Sequence, residues 1–207
     1  EADFSKYELI IGPMMYLMTE DVMKRLSSYV KQGGTFVSTY ITGYVNENDL
    51  TYLGGWPQPL REMFGIKVTE TDTLYPKDRN AVHYADQSFE AKDYCSLFEL
   101  EGAEVLGTYT EDFYAGKPAI TRNKYGQGAA YFIGARTNLD FLEYFYGELA
   151  KNKGLENAWV IKGDPDVSVQ SRDFENQSYR FVMNFSEEMK EIQVATACVD
   201  LLTRTTH

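Results

Sequence analysis

"YELIIGPMMYLMTEDVMKRLSSYVKQGGTFVSTY", Tyr7 to Tyr40, decides the fold class. Leu9-Ile10-Ile11 is a short apolar run closed by Gly12-Pro13, and it reads as a buried strand that leads into a loop. Thr19 is a good N-cap, and Glu20 and Asp21 follow in the first turn, where the helix dipole favours negative charge. Val22, Met23, Leu26, Tyr29 and Val30 recur at helical spacing and make one apolar face. Gly33-Gly34 stops the helix, and Thr35–Tyr40 is a second strand rich in β-branched and aromatic residues. Such a strand–helix–strand unit gives a parallel pair joined by a right-handed crossover. The expectation is an α/β fold with a mostly parallel sheet and flanking helices.

Downstream, Pro59 is placed to start a short helix through Met63, and Gly65 to end it. Ile66–Thr71 alternates like a strand, whereas Leu74–Phe89 is polar and reads as irregular. Ser96–Leu100 and Glu104–Tyr109 read as short strands. Pro118–Asn123 and Ala129–Gly134 flank Tyr125-Gly126-Gln127-Gly128, a hairpin pattern with glycine turns. Thr137 or Asn138 then caps a helix whose face includes Leu139, Leu142, Phe145 and Leu149, ending near Gly154. Composition shifts at Gly163-Asp164-Pro165-Asp166, so a boundary is expected there, with an α/β domain over 1–162 and a small antiparallel β-domain over 163–207. Its strands would be Val167–Arg172, Ser178–Asn184 and Lys190–Val194, with Val199–Leu202 as another strand or edge. A β-domain of about 40 residues is small for independent folding. The chain also lacks a starting Met, so it is expected to be processed or a piece of something longer.

The net charge of −11, from 31 acidic and 20 basic side chains, argues against a nucleic-acid partner. No apolar run approaches the ~20 residues needed to span a bilayer, so no membrane role is expected. Two cysteines far apart in sequence, Cys95 and Cys198, make neither a disulfide framework nor a zinc pattern, and a reducing cytoplasm fits them.

In a class I glutamine-amidotransferase-like (flavodoxin-like) fold the turn after Thr35–Tyr40 would carry a nucleophile. Ile41, Thr42, Gly43 and Tyr44 stand there, none of them cysteine, and the chain's histidines are His83 and the final His207. A nucleophile–base pair is therefore not expected, and no catalytic residue, metal ligand or cofactor site is assigned. The loop "YVNENDLTYLGGWPQPL", Tyr44 to Leu60, offers clustered acids, but counting from Asn46 puts Thr51 and Pro57 where a calcium loop needs glycine and glutamate. The two glycines of Tyr125–Gly128 lack the lysine and helix of a phosphate loop. The aromatics of the Tyr44–Leu60 loop, with Phe113 and Tyr114, read either as core or, where they lie on loops, as interface anchors or platforms for sugars. Tyr44, Asn46, Glu47, Asn48, Asp49, Tyr52, Trp56, Phe113 and Tyr114 are accordingly the candidate interface residues, with Gly54-Gly55 allowing close backbone approach.

Taken together, the stretches "YELIIGPMMYLMTEDVMKRLSSYVKQGGTFVSTYITGYVNENDLTYLGGWPQPLREMFGI" and "DFYAGKPAITRNKYGQGAAYFIGAR" resemble the trimerisation domain of glycoside hydrolase family 42 β-galactosidases. Tyr179–Val194 and Asp200–Thr203 resemble the start of their small C-terminal β-domain. The resemblance implies a longer parent with an upstream TIM barrel that cleaves terminal β-linked galactose with retention through two barrel glutamates. It implies that this region is non-catalytic and holds a homotrimer together. The family domain would also carry a strand and helix before Glu1. The rival reading is a free-standing amidotransferase-like module that binds a sugar or a partner.

Overall fold

A computed structural model describes residues 3–58, 60–155, 166–192 and 197–206. The chain divides into two compact units, Glu1–Gly147 and Glu148–His207. The expected domain boundary at 162/163 and Pro59, the expected helix start, lie outside the described residues.

The first unit opens with a 3-10 turn, Phe4–Lys6, and then strand β1, Leu9–Gly12. Helix α1, Glu20–Lys31, follows, with the Thr19 hydroxyl accepting the Val22 N–H and Met23, Leu26, Tyr29 and Val30 buried. Strand β2, Thr35–Thr39, is buried throughout. Next come α2 (Arg61–Phe64), β3 (Ile66–Thr73), β4 (Asn80–Tyr84), β5 (Gln87–Leu100) and β6 (Glu104–Tyr109). The unit continues with β7 (Pro118–Tyr125), β8 (Gly128–Ile133) and β9 (Ala135–Thr137), and α3 spans Leu139–Asn152.

Among the described residues these strands form one nine-stranded mixed sheet, ordered β1-β2-β8-β7-β6-β4-β5-β3, with β9 paired to β5. The expected parallel character holds at the end formed by β1, β2 and β8, where β2 pairs parallel with both neighbours. The other pairings are antiparallel. Connection length is the cause. The α1 crossover returns the chain in the same direction, whereas the tight turn between β7 and β8 reverses it. β1 lies at the sheet's edge with Ile11 exposed, not buried between neighbours as its apolar run suggested.

Leu74–Phe89, read as irregular, contains all of β4 and the start of β5. The alternation is carried by few apolar residues, with Val82, Phe89 and Ala91 buried among polar neighbours. Their hairpin turns through Ala85 and Asp86, both at positive φ (50° and 60°). Ala-Asp lacks the Asn-Gly or Asp-Gly chemistry that announces such a turn. In β3, Thr69 is an extra residue opposite β5, because the register steps from Val68↔Phe98 to Glu70↔Leu97.

Phe36, Phe64, Phe98 and Phe132 centre the core, with ring separations of 5.5–5.8 Å along Phe36–Phe64–Phe132–Phe98. Asn138 caps α3 through its Oδ1, which accepts the Phe141 N–H at 3.2 Å. The buried positions of α3 are Phe141, Phe145 and Leu149, four residues apart. Leu139 is exposed and Leu142 only half-buried, so the expected face is shifted.

Gly126 adopts the left-handed conformation of the hairpin turn (φ +60). Gly128 has a different reason: a Cβ there would lie 2.2 Å from the carbonyl oxygens of Val30 and Gly34, at the end of α1.

In the second unit, β10 (Val167–Phe174) and β11 (Gln177–Asn184) form an antiparallel hairpin, Val167↔Asn184 through Phe174↔Gln177. Of the expected strand Lys190–Val194, Lys190–Ile192 is not a strand, and Gln193 and Val194 lie outside the described residues. Lys190 instead pairs with Asp166 at 3.5 Å. Val199 makes one bridge to Thr206, and Leu201–Thr203 turn.

Candidate interface loop

β2 delivers the chain to a sharp turn. Ile41 takes φ 55 and Gly43 φ 67, and the hydroxyls around them serve the backbone. Ser38 Oγ donates to the Gly12 carbonyl at 2.6 Å and lies 2.8 Å from Thr42 Oγ1, which accepts the Met15 N–H. Thr39 Oγ1 accepts the Met14 N–H at 2.8 Å. These bonds fasten the segment after β1 to the end of β2 and leave no activated hydroxyl at the turn. His83 is exposed on β4 and Cys95 is buried in β5. Burial pushes the Cys95 thiol up to about 11, the opposite of nucleophile activation. Among the described residues, no three His, Cys, Asp or Glu side chains group so as to hold a metal ion, and no helix is long and apolar enough to cross a membrane.

The loop from Tyr44 to Trp56 lies beside the segment Met15–Met18. Gly43 N–H donates to Met15 O, Tyr44 N–H to Tyr16 O, and Met18 N–H to Val45 O, at 2.9–3.0 Å. Asn46 shapes the tip, its Oδ1 accepting the N–H groups of Asn48 and Leu50 at 3.0 and 3.1 Å. Asp49 sits at φ 58 and accepts the Tyr16 hydroxyl at 3.2 Å. Asn46 is half-buried, while Glu47, Asn48 and Asp49 point an acidic rim to solvent.

Of the two readings of the loop's aromatics, the structure leans to the inward one. Tyr44 and Trp56 stack at 4.3 Å with an 11° interplanar angle, and both are half-buried. Tyr44 Oη lies 2.8 Å from Thr71 Oγ1, Trp56 Nε1 donates to Thr51 Oγ1, and Tyr52 Oη donates to the Met18 carbonyl at 2.8 Å. Burial raises the Tyr44 phenol above its ordinary range despite the Thr71 contact, which keeps it a neutral partner. The Trp56–Pro57 bond is cis, and the Trp56 carbonyl accepts the Val68 N–H at 2.7 Å.

The second candidate region is the β6–β7 turn. Phe113 is 73% exposed at its tip. Tyr114 is 1% exposed and so belongs to the core, which takes it out of the exposed candidate set. Its ring meets Tyr109 edge-on at 5.0 Å, and its hydroxyl donates to Asp72 Oδ2 at 2.8 Å. Burial, and then the Asp72 bond, raise the Tyr114 phenol. Asn80 grips Glu111 by both backbone groups, at 3.1 and 3.2 Å. Thr71 and Asp72 are neighbours on β3 and so point to opposite faces. One ties down the Tyr44 loop and the other the Phe113 turn, and the two regions stay separate.

Reading for aromatics missed this loop's most exposed apolar groups. Leu53 is 86% and Leu50 62% exposed on the loop, with Leu17 and Tyr16 about half exposed on the adjoining segment. The available signal was two leucines in a loop whose other large apolar residues, apart from Val45, are aromatic.

Residues 1–156 match the family model described as the β-galactosidase trimerisation domain, and residues 166–206 the one described as the β-galactosidase C-terminal domain. The chain belongs to the glycoside hydrolase family 42 β-galactosidases. It is 49% identical over 203 residues to β-galactosidase GalA of Bacillus licheniformis and 47% identical to GanA of Bacillus subtilis, in each case over 98% of this chain and 30% of that protein. The crystallised family 42 β-galactosidase Gan42B superposes with a TM-score of 0.95 at 48% identity, over 100% of this chain and 30% of that one. The enzyme from Bacillus circulans sp. alkalophilus gives 0.95 at 36% identity, over 100% of this chain and 31% of that one. The chain thus spans about 30% of the length of these relatives and comprises the non-catalytic trimerisation and C-terminal regions of such an enzyme.

Proposed function

We propose that this chain holds together a homotrimeric β-galactosidase whose catalytic barrel lies in the rest of the parent. That parent hydrolyses terminal non-reducing β-D-galactosides with retention, through two barrel glutamates. The match of residues 1–156 to a trimerisation domain carries this reading. The α/β domain ends at 162 and the β-domain begins at 163, a division supported by the two matches stopping at 156 and resuming at 166. The loop residues Tyr44, Asn46, Glu47, Asn48, Asp49, Tyr52 and Trp56, with Phe113, are its candidate interface. A cytoplasmic location goes with this reading, supported by the free cysteines.

The α/β domain is amidotransferase-like with its chemistry retired. Ile41 supports this, because a β-branched residue at φ 55 is strained. It sits at a sharp strand end, the kind of turn that lifts a nucleophile in α/β enzymes. Here that turn carries no nucleophile.

Sedimentation of the intact parent, alongside turnover of a chromogenic β-galactoside, tests the proposal. The expected result is a trimer that turns over substrate and no turnover by residues 1–207 alone. A fully active monomer, or turnover by this chain alone, refutes it.

A further inference from the structure

We infer that Leu50 and Leu53, flanked by Tyr16 and Leu17, form the patch on which a second copy of the full-length protein docks, and that the Tyr44–Trp56 stack is a positioning element for that patch. This deepens the oligomer reading and rests on it. Three observations lead there.

The first is exposure. Leu50 and Leu53, at 62% and 86%, are flanked by Asp49 and Thr51 and by Tyr52 and Gly54, and Glu47, Asn48 and Asp49 expose a polar rim on the same loop. Leu17 and Tyr16 add to them from a segment hydrogen-bonded alongside. Grouped apolar side chains inside a polar rim are the anatomy of a protein interface.

The second is pre-organisation. The Asn46 side chain fixes the loop tip through two backbone bonds, the Tyr52 hydroxyl pins the neighbour of Leu53 to Met18, and the Tyr44–Trp56 stack and Thr71 hold the loop's base. A loop held this firmly loses little freedom on binding. The aromatics named from sequence are spent on this internal work, which leaves the leucines as contact groups.

The third is charge. Glu47 and Asp49 put a rim of like charge around the leucines, so the apolar centre is the part of the patch that attracts. A threefold ring uses heterologous contacts. The leucines therefore meet a different surface of the neighbour, one that is apolar and poor in carboxylates. The trimerisation family match makes a second copy the proposed occupant, and cover by the remainder of the same chain is an outcome the test separates from it.

The test uses the full-length protein. Sedimentation across a dilution series compares wild type with Leu50→Ser/Leu53→Ser. Each leucine is expected to weaken each subunit contact about tenfold; a ring has three such contacts and its midpoint concentration follows the square root of the trimer constant, so the double variant dissociates at about a thousandfold higher concentration. Hydroxyl-radical footprinting of the wild type supplies a readout independent of any variant's folding. Oxidation of Leu50, Leu53 and Tyr16 should be low in the oligomer and rise on dilution through its dissociation. A wild-type trimer whose double variant dissociates at the same concentration overturns this inference and leaves the oligomer reading standing. Oxidation that is unchanged on dilution, whether high or low, overturns it too, and low values would point to cover by the same chain. A wild type that is monomeric at every concentration takes down the oligomer reading itself.

Discussion

Replacing Gly128 with alanine should be among the most damaging single-methyl changes available to this chain. The added Cβ would sit 2.2 Å from two carbonyl oxygens, those of Val30 and Gly34, and real Cβ contacts do not fall below 3.0 Å. Both carbonyls must therefore retreat by at least 0.8 Å (3.0 minus 2.2). Neither is free to move. The Val30 carbonyl accepts the Gly33 N–H that ends α1, and the Gly34 carbonyl accepts the Ala129 N–H that joins β2 to β8. Losing both bonds costs about 1 kcal/mol each, and overpacking adds about 1–3 kcal/mol. The sum is about 3–5 kcal/mol. At about 2–4 °C per kcal/mol for a chain of this size, the melting temperature should fall by about 10 °C. Gly147→Ala is the matched control. It also adds one methyl, in the interior of α3, with nothing within 4 Å. It should stabilise by about 1 kcal/mol through helix propensity. Calorimetry of both variants decides the matter. A Gly128→Ala melting temperature within 2 °C of wild type, on the order of the control's own shift, would refute the close-approach argument.

Trp56→Ala should cost about 2 kcal/mol, because it removes the ring stacked on Tyr44 at 4.3 Å, and should weaken the near-ultraviolet dichroism of the loop. Tyr114→Phe keeps the ring but leaves the Asp72 carboxylate without that donor. Denaturant titration should give a loss of about 1–3 kcal/mol, and no loss would mean that water replaces the hydroxyl. Cys95, with its thiol near 11, holds about 0.1% thiolate at pH 8 and should resist iodoacetamide until the chain unfolds. Its linkage has a definite sign. The folded thiol ionises later than the unfolded one, whose ordinary value is 9.0, so its contribution is complete below about pH 9 and is lost between about 9 and 11. Cys95→Ser should flatten that part of the stability–pH curve.

Legibility followed local signals. The Tyr7–Tyr40 unit was readable because cap, dipole, periodicity and stop all agree on α1. The β7–β8 hairpin was readable because glycines mark its turn. β4 was not, because its turn at Ala85-Asp86 uses positive φ without glycine or asparagine, and its alternation rests on few apolar residues. The antiparallel half of the sheet is a matter of long-range pairing, which local pattern does not specify. In the candidate site the loop itself was visible, but aromatic content was a poor guide to exposure. Tyr44, Tyr52 and Trp56 have polar tips that find partners inside the protein, and Tyr114 finds Asp72. Leucine has no such tip, so its exposure depends only on where the backbone carries it.

The extra residue at Thr69 acts as a phase setter. Strand faces alternate with every residue, so one residue more or fewer before Thr71 exchanges the sides on which Thr71 and Asp72 emerge. Tyr44 would then face Glu70 or Asp72 in place of Thr71, and Tyr114 a threonine in place of Asp72, so both regions would lose their present partners at once. The stretch from Val68 to Asp72 is in this sense a ruler of fixed length: side chains along it can be exchanged, but a change in its residue count would release the Tyr44 loop and the Phe113 turn together.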